Sequence, residues 1–396
     1  MRLPRLLSGL GLISLPLASW AAPELPSVSA AMQAQVDAHE IAGAVTLVAS
    51  RDQILHLGTV GLADVAAAKP MPADALFWIA SMTKPVTSVA ILMLQDEGKL
   101  SLTDPVAKYL PEFAALTTPS GKPANLTIAQ LLNHTSGLAD PKYGTTMGAR
   151  TLPELVKLYL AAPMQFEPGT TWRYTSSAFN VAGRIVEVAS GQSFDAFLQR
   201  RLFGPLGMKD TTFYPNAEQR TRLAHAYRAN PAAGTFALMT GLGPNGPIPT
   251  PDESPPLGAG GLFSTARDYA RFGQMLLNGG ARGGRTYLSA AAFQALTTVG
   301  TGDLPTGYTK TRLSHVLGWG VGVAVVQAPN GGVAAQLSPG SFGHPGAWGT
   351  GAWIDPVRGL VYVMMVQRPN MPDNFENPPA LAFIGAAAAA LARPAP

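Results

Sequence analysis

Cysteine is absent from the 396-residue sequence, which excludes disulfides, a thiol nucleophile and any cysteine-ligated metal centre. Charge is scarce too: 13% of residues are Asp, Glu, Lys or Arg, against 47% hydrophobic. So apolar a chain can bury a large core, and the composition excludes intrinsic disorder. The formal net charge of +4, spread without a basic cluster, gives nucleic acid no footing as a partner. The sequence contains no His-Glu-x-x-His pair, no Gly-x-x-x-x-Gly-Lys phosphate loop and no Gly-x-Ser-x-Gly elbow. Its six histidines are scattered, so a zinc site is not expected.

A run long enough to span a membrane is missing as well. The opening MRLPRLLSGLGLISLPLASWAAPELP combines Arg2 and Arg5 with an apolar stretch from Leu6 to Leu17 and a small-x-small site at Ser19-Trp20-Ala21. That is the pattern of a secretory signal peptide. Gly9, Gly11 and Pro16 interrupt the stretch, which falls short of the roughly 20 residues that cross a bilayer. Cleavage after Ala21 is therefore expected, removing two arginines and lowering the net charge from +4 to +2. The remaining chain, residues 22–396, is expected in the periplasm or outside the cell, without stable membrane insertion.

The pattern of what is present runs from mixed to helical and back. SAAMQAQVDAHEIAG has helical spacing at Met32, Val36 and His39. AVTLVAS and QILHLGTVG are β-rich runs separated by Arg51-Asp52, a hairpin signal. VTSVAILMLQDEG is apolar on nearly every face and stops at Gly98, which predicts a helix buried all round. From about residue 101 to 256 the signals are helical, with Thr127 a candidate N-cap, and residues 230–256 read as a long surface loop. Ser264 or Thr265 caps a further amphipathic helix, and strand signals return in GWGVGVAVVQ, GAWGTGAWIDP and LVYVMMVQ before a last helix over Leu381–Arg393. Strands at both ends around a helical middle predict an α/β fold of the α+β type. Its antiparallel sheet is built from both termini, about 30–100 and 257–396, and a mainly helical lobe, about 101–256, is inserted.

Within FWIASMTKPVTS, Ser81 stands three residues before Lys84. On a helix such residues share a face, which permits a nucleophile and its base. Pro85 belongs in a first helical turn, so the helix should begin at about Ser81. There a serine lies among free backbone N–H groups and the positive end of the helix dipole, and a lysine entering a buried helix loses hydration and with it proton affinity. Spacing alone equally allows a capping serine and a surface lysine.

The segment LFWIASMTKPVTSVAILMLQDEGKLSLTDPVAKYLPEF resembles the nucleophile helix of the serine β-lactamase and penicillin-binding protein superfamily. The resemblance is to the branch of class C β-lactamases, D-Ala-D-Ala carboxypeptidases and carboxylesterases. LLNHTSGL, FEPGTTWRYTSSAFNVAGRIVE, LFGPLGMKDTTF, GAGGLFSTARDYARFGQMLLNGG and FGHPGAWGTGAWIDP resemble later segments of that family in the same order. The resemblance implies a β-lactamase/transpeptidase-like fold in which Ser81 is acylated and Lys84 accepts or relays its proton, with no metal or cofactor required. It further implies that Tyr174 is the general base and acid, and that the backbone N–H groups of Ser81 and Ala347 form the oxyanion hole. His344-Pro345-Gly346 takes the place of the family's Lys-Thr-Gly strand motif, with Gly346 letting substrate lie close.

Two departures bear on substrate. Histidine at 344 is mostly uncharged at neutral pH where relatives that recognise penicillin keep a cation, and Ser176 stands where asparagine is frequent. Both tilt the expectation toward a serine hydrolase of small carboxylic esters. An amide hydrolase acting on β-lactams or cell-wall peptides, as β-lactamase or carboxypeptidase, is the alternative, and a non-catalytic cell-wall-binding protein is a third. The expected partner is a small ester or amide. Phe236, Leu238, Met239 and Leu242 are candidates for one wall of an acyl pocket.

Overall fold

The β-branched run around Val45, Thr46 and Val48 forms strand β1, Gly43–Ala49, all of it buried. The chain turns at Arg51-Asp52 and returns as β2, Ile54–Asp64, followed by the short β3, Lys69–Pro70. In the computed structural model, which describes residues 23–142, 144–240, 247–307, 316–372, 375 and 377–392, five more strands complete this sheet from the far end of the sequence. They are β4, Leu317–Trp319; β5, Ala324–Val326; β6, Phe342–Pro345; β7, Gly351–Asp355; and β8, Leu360–Met365. The order is β4-β5-β6-β7-β8-β1-β2-β3, antiparallel throughout. The two ends of the chain meet where Val45 pairs with Met365 and Ala49 with Val361.

Alternation along β1 and β8 divides the core in two. Val45, Leu47, Val361 and Val363 face one hydrophobic cluster, while Ala44, Val48, Tyr362 and Met364 face another. Helices α1, Pro26–Asp37, and α6, Pro378–Ala390, cover the second face. On the first lie α2, Thr83–Asp96, and α5, Ala266–Leu277. A Cβ on Gly273 of α5 would stand 2.5 Å from Val361 Cγ1, so the helix presses directly on the sheet. Helices α3, Leu152–Leu160, and α4, Ser177–Ser190, lie in the intervening segment; α4 packs against both α2 and α3. Among the described residues no helix is long and apolar enough to cross a membrane. Residues 1–21, the expected leader, lie outside the described residues.

Thr127 caps its short helix through a reciprocal box with Gln130, and Thr265 caps α5 by accepting from the Asp268 N–H. Three expectations shift. The last helix begins at Pro378, because Asn377 accepts from the Ala380 N–H and Pro378 suits a first turn. GWGVGVAVVQ is a hairpin of two strands, β4 and β5, with Gly322 at φ +77 in its turn. The expected loop over 230–256 starts instead with a hairpin, Tyr227–Asn230 paired with Thr235–Leu238, closed by Gly234 at φ +63. Four-residue strands carry too little alternation to stand out from the sequence.

Candidate active site

The approach to Ser81 is strained. Ala80 has φ +44, a region costly for a residue with a Cβ, and opens a tight turn, Ala80–Met82, from which α2 continues at Thr83. The helix begins close to the expected point, with the serine in the turn ahead of it. Every residue from Thr83 to Leu94 is buried, so Lys84 enters the core among apolar neighbours. Its Nζ donates to Ser81 Oγ at 3.1 Å and to the Ala259 carbonyl at 2.7 Å. Burial pushes its pKa down from 10.5 to about 7, opposed by the carboxylate of Asp140.

The carbonyl that orients Lys84 is itself held from the helical side. The Ala259 N–H donates to Asn180 Oδ1 at 2.9 Å, and Asn180 Nδ2 donates to the Tyr159 hydroxyl at 2.6 Å. Thr87 Oγ1 donates to the neighbouring Gly258 carbonyl at 2.7 Å. Three elements distant in sequence thereby set the position of one amine.

Tyr174 lies just before α4, its ring centroid 4.6 Å from Lys84 Nζ. The ring stacks on His134 at 4.3 Å and stands 5.9 Å from His344 and 6.0 Å from Trp319. Ser176 is the N-cap of α4, where Asp140 accepts from the Ser176 N–H at 2.9 Å and from the Ser177 N–H at 2.7 Å. A polar cleft of about 480 Å³ opens here between Asp140, Trp172, Arg173, Tyr174, Ser176 and Gly307. The Arg173 guanidinium on its rim donates to Gln165 Oε1 at 2.5 Å.

His344 is buried in β6, with Nδ1 2.6 Å from the Pro345 carbonyl. A carbonyl only accepts, so Nδ1 carries the proton and Nε2 a lone pair, without a hydrogen-bond partner among the described residues. Burial first and Lys84 second push its pKa down to about 3, so the ring is neutral at every ordinary pH. The strand approaches the turn that carries Ser81 through Gly346. A Cβ there would lie 2.1 Å from Thr350 Oγ1 and 2.5 Å from the Ile79 carbonyl, two residues before Ser81. Ala347 follows, exposed, in the turn closed by the Gly349 N–H on the Gly346 carbonyl.

An apolar cavity of about 130 Å³ lies beside this turn, between Trp78, Phe213, Tyr214, Leu257, Phe263 and Pro255. Trp78 packs against Trp348 at 5.1 Å and donates its indole N–H to the Gly260 carbonyl at 2.6 Å. Of the residues expected to wall an acyl pocket, Phe236 packs instead against His39 and Tyr227, and Leu238 is exposed. Met239 packs against the small cluster of Ala80, Ala226 and Trp348, as Trp78 does, and Leu242 lies outside the described residues. The loop contributes prolines 247, 249 and 255 to the cavity in their place.

The structure thus gathers Ser81, Lys84, Tyr174, Ser176, His344 and Gly346 around one point. It adds His134, Asp140, Asn180 and Ala259, which the sequence reading did not single out. Asn180 had one usable signal, an amide set directly between Phe179 and Val181 in a helix whose buried residues are otherwise small or apolar.

This fold is that of a class of serine hydrolases that embraces esterases, carboxypeptidases and β-lactamase-like proteins. The chain belongs to the Beta-lactamase family, whose model matches residues 28–386. It is 31% identical over 331 residues to a putative D-alanyl-D-alanine carboxypeptidase of Escherichia coli (strain K12), covering 76% of this chain and 72% of that one. Esterase EstB of Burkholderia gladioli is 38% identical over 194 residues, 46% of this chain and 49% of EstB. Among solved structures, EstCE1, described as a hydrolase with promiscuous acyltransferase activity, superposes with a TM-score of 0.77 at 23% identity. That match covers 91% of this chain and 98% of EstCE1.

Proposed function

We propose that this protein is a serine carboxylesterase that acylates Ser81 with the acid of a small ester. The observation that carries the reading is His344. Where a cation would hold a substrate carboxylate, the strand offers a neutral ring and a lone pair, and the cavity beside Trp78 is apolar. A short acyl chain suits that cavity.

In the proposed cycle the ester carbonyl sits between the N–H groups of Ser81 and Ala347, which stabilise the oxyanion. Neutral Lys84 and Tyr174 take the Ser81 proton as its Oγ bonds to the carbonyl carbon. The C–O bond to the alcohol breaks, and the alcohol leaves with a proton from Tyr174. Water, giving its proton to the same pair, then attacks the acyl carbon, releases the acid and returns the proton to Ser81. Residues 1–21 serve in this reading as a leader that sends the enzyme to the periplasm or beyond.

One observation favours a second reading. Arg173 on the rim of the polar cleft offers a cation to a carboxylate-bearing amide, and the Escherichia coli relative is named as a carboxypeptidase. Hydrolysis of p-nitrophenyl butyrate and of a chromogenic cephalosporin, side by side with Ser81→Ala, separates the two. The esterase reading predicts rapid ester cleavage that depends on Ser81 and slow cephalosporin opening. Fast cephalosporin opening with weak esterase activity would replace it with the second.

A further inference from the structure

The loop His134–Asp140 runs alongside residues 173–177 and holds four of their backbone N–H groups. Arg173 donates to the His134 carbonyl at 2.9 Å, and Thr175 to the His134 ring Nδ1 at 3.2 Å. Ser176 and Ser177 donate to the Asp140 carboxylate. Tyr174 lies in the middle of this clamp with its ring stacked on His134.

His134 pays a backbone cost for its place, at φ +65. That conformation turns its carbonyl toward Arg173 while the ring lies under Tyr174. An amide N–H needs an acceptor, so Nδ1 holds a lone pair and the proton is on Nε2. The ring is fully enclosed, 4.9 Å from Trp319, 5.1 Å from Phe179 and 5.8 Å from Trp172, so it is locked in orientation. Burial, with Lys84 and His344 nearby, holds it neutral.

We propose that His134 is a positioning residue, whose ring face and Nδ1 lone pair together fix the Tyr174 ring beside Lys84 so that the tyrosine hydroxyl is aimed at the Ser81 proton. The proposal rests on the acid–base role given to Tyr174 above. Two contacts from one side chain set two features of the neighbour: stacking sets the tilt of the ring, and the bond to Thr175 sets the backbone that carries it.

A double-mutant cycle on p-nitrophenyl butyrate tests this, with His134→Phe, His134→Asn, Tyr174→Phe and the two double variants. His134→Phe keeps a ring for stacking and leaves the Thr175 N–H without its acceptor. The expected result is a fall in kcat on the order of 10- to 100-fold with little change in KM. His134→Asn tolerates positive φ and returns an acceptor to Thr175, so it should recover part of kcat. In the Tyr174→Phe background neither change should cost more, because the group being positioned is gone. Unchanged kcat in His134→Phe, or equal losses in both backgrounds, would overturn the proposal while leaving the esterase reading intact. If His134→Phe does not fold, the His134→Asn cycle decides by the same comparison. Full turnover by Tyr174→Phe alone would remove the tyrosine's role, and the positioning role with it.

Discussion

Lys84, the base of the proposed cycle, lies in the core, and that placement should weaken the fold. Folding moves its pKa from 10.5 to about 7, so near neutral pH and below the protein gives up about 4–5 kcal/mol to keep this group inside. Lys84→Met keeps the volume of the stem and removes the ionisable nitrogen. It also strips the Ala259 carbonyl of its donor, a loss of about 1–3 kcal/mol. The difference leaves Lys84→Met more stable than the wild type by about 1–4 kcal/mol at neutral pH, yet inactive. The sign of the pH dependence follows from proton counting. Between about pH 7 and 10.5 the unfolded chain still holds the lysine proton that the folded chain has released, so wild-type stability rises with pH across that window. Lys84→Met lacks this slope, so its advantage should shrink by about 2–3 kcal/mol from pH 6 to pH 9. Urea unfolding of both proteins at the two pH values measures the gap directly. A variant less stable than the wild type at pH 6, or a gap that does not move with pH, would refute the reasoning.

The same titration should govern catalysis: kcat/KM on an ester should climb through an apparent pKa near 7 as Lys84 loses its proton, and a profile flat across that range would remove it as the base. Gly346→Ala drives a methyl group into Thr350 Oγ1 and the Ile79 carbonyl, so it should cost about 1–3 kcal/mol of stability and roughly 100-fold in rate. Thermal melting and steady-state kinetics check both, and wild-type values for each would show that the strand does not approach the Ser81 turn so closely.

What could be read beforehand divides along physical lines. The pairing of Ser81 with Lys84 was legible because it is local, a three-residue spacing with Pro85 marking the first turn, whereas the chemical role expected of the pair came from the resemblance of whole segments. The buried helix and the hairpin at Arg51-Asp52 were legible for the same reason, since periodicity and turn chemistry act over a few residues. Tyr174 and His344 carry no such local signature, and only the resemblance of whole segments pointed to them. His134, Asp140, Asn180 and Ala259 act across gaps of tens of residues, where a hydrogen bond leaves no trace in neighbouring sequence. Asp140 caps a helix that starts at Ser177, and Asn180 reaches Ala259, 79 residues away. The loop over 236–256 does line the cavity, through residues other than those singled out on it. Hydrophobicity marked Phe236 and Leu238, but hairpin pairing carried them elsewhere, and prolines further along the loop line the space.

The central claim is a covalent acyl-enzyme on Ser81. Rapid quenching during turnover of p-nitrophenyl butyrate, followed by intact-mass and peptide-mass measurement, tests it most directly. The account predicts a mass gain of one butyryl group on the peptide containing Ser81, present in the wild type and absent in Ser81→Ala. An acyl group found on another residue, or full ester turnover by Ser81→Ala, would contradict it.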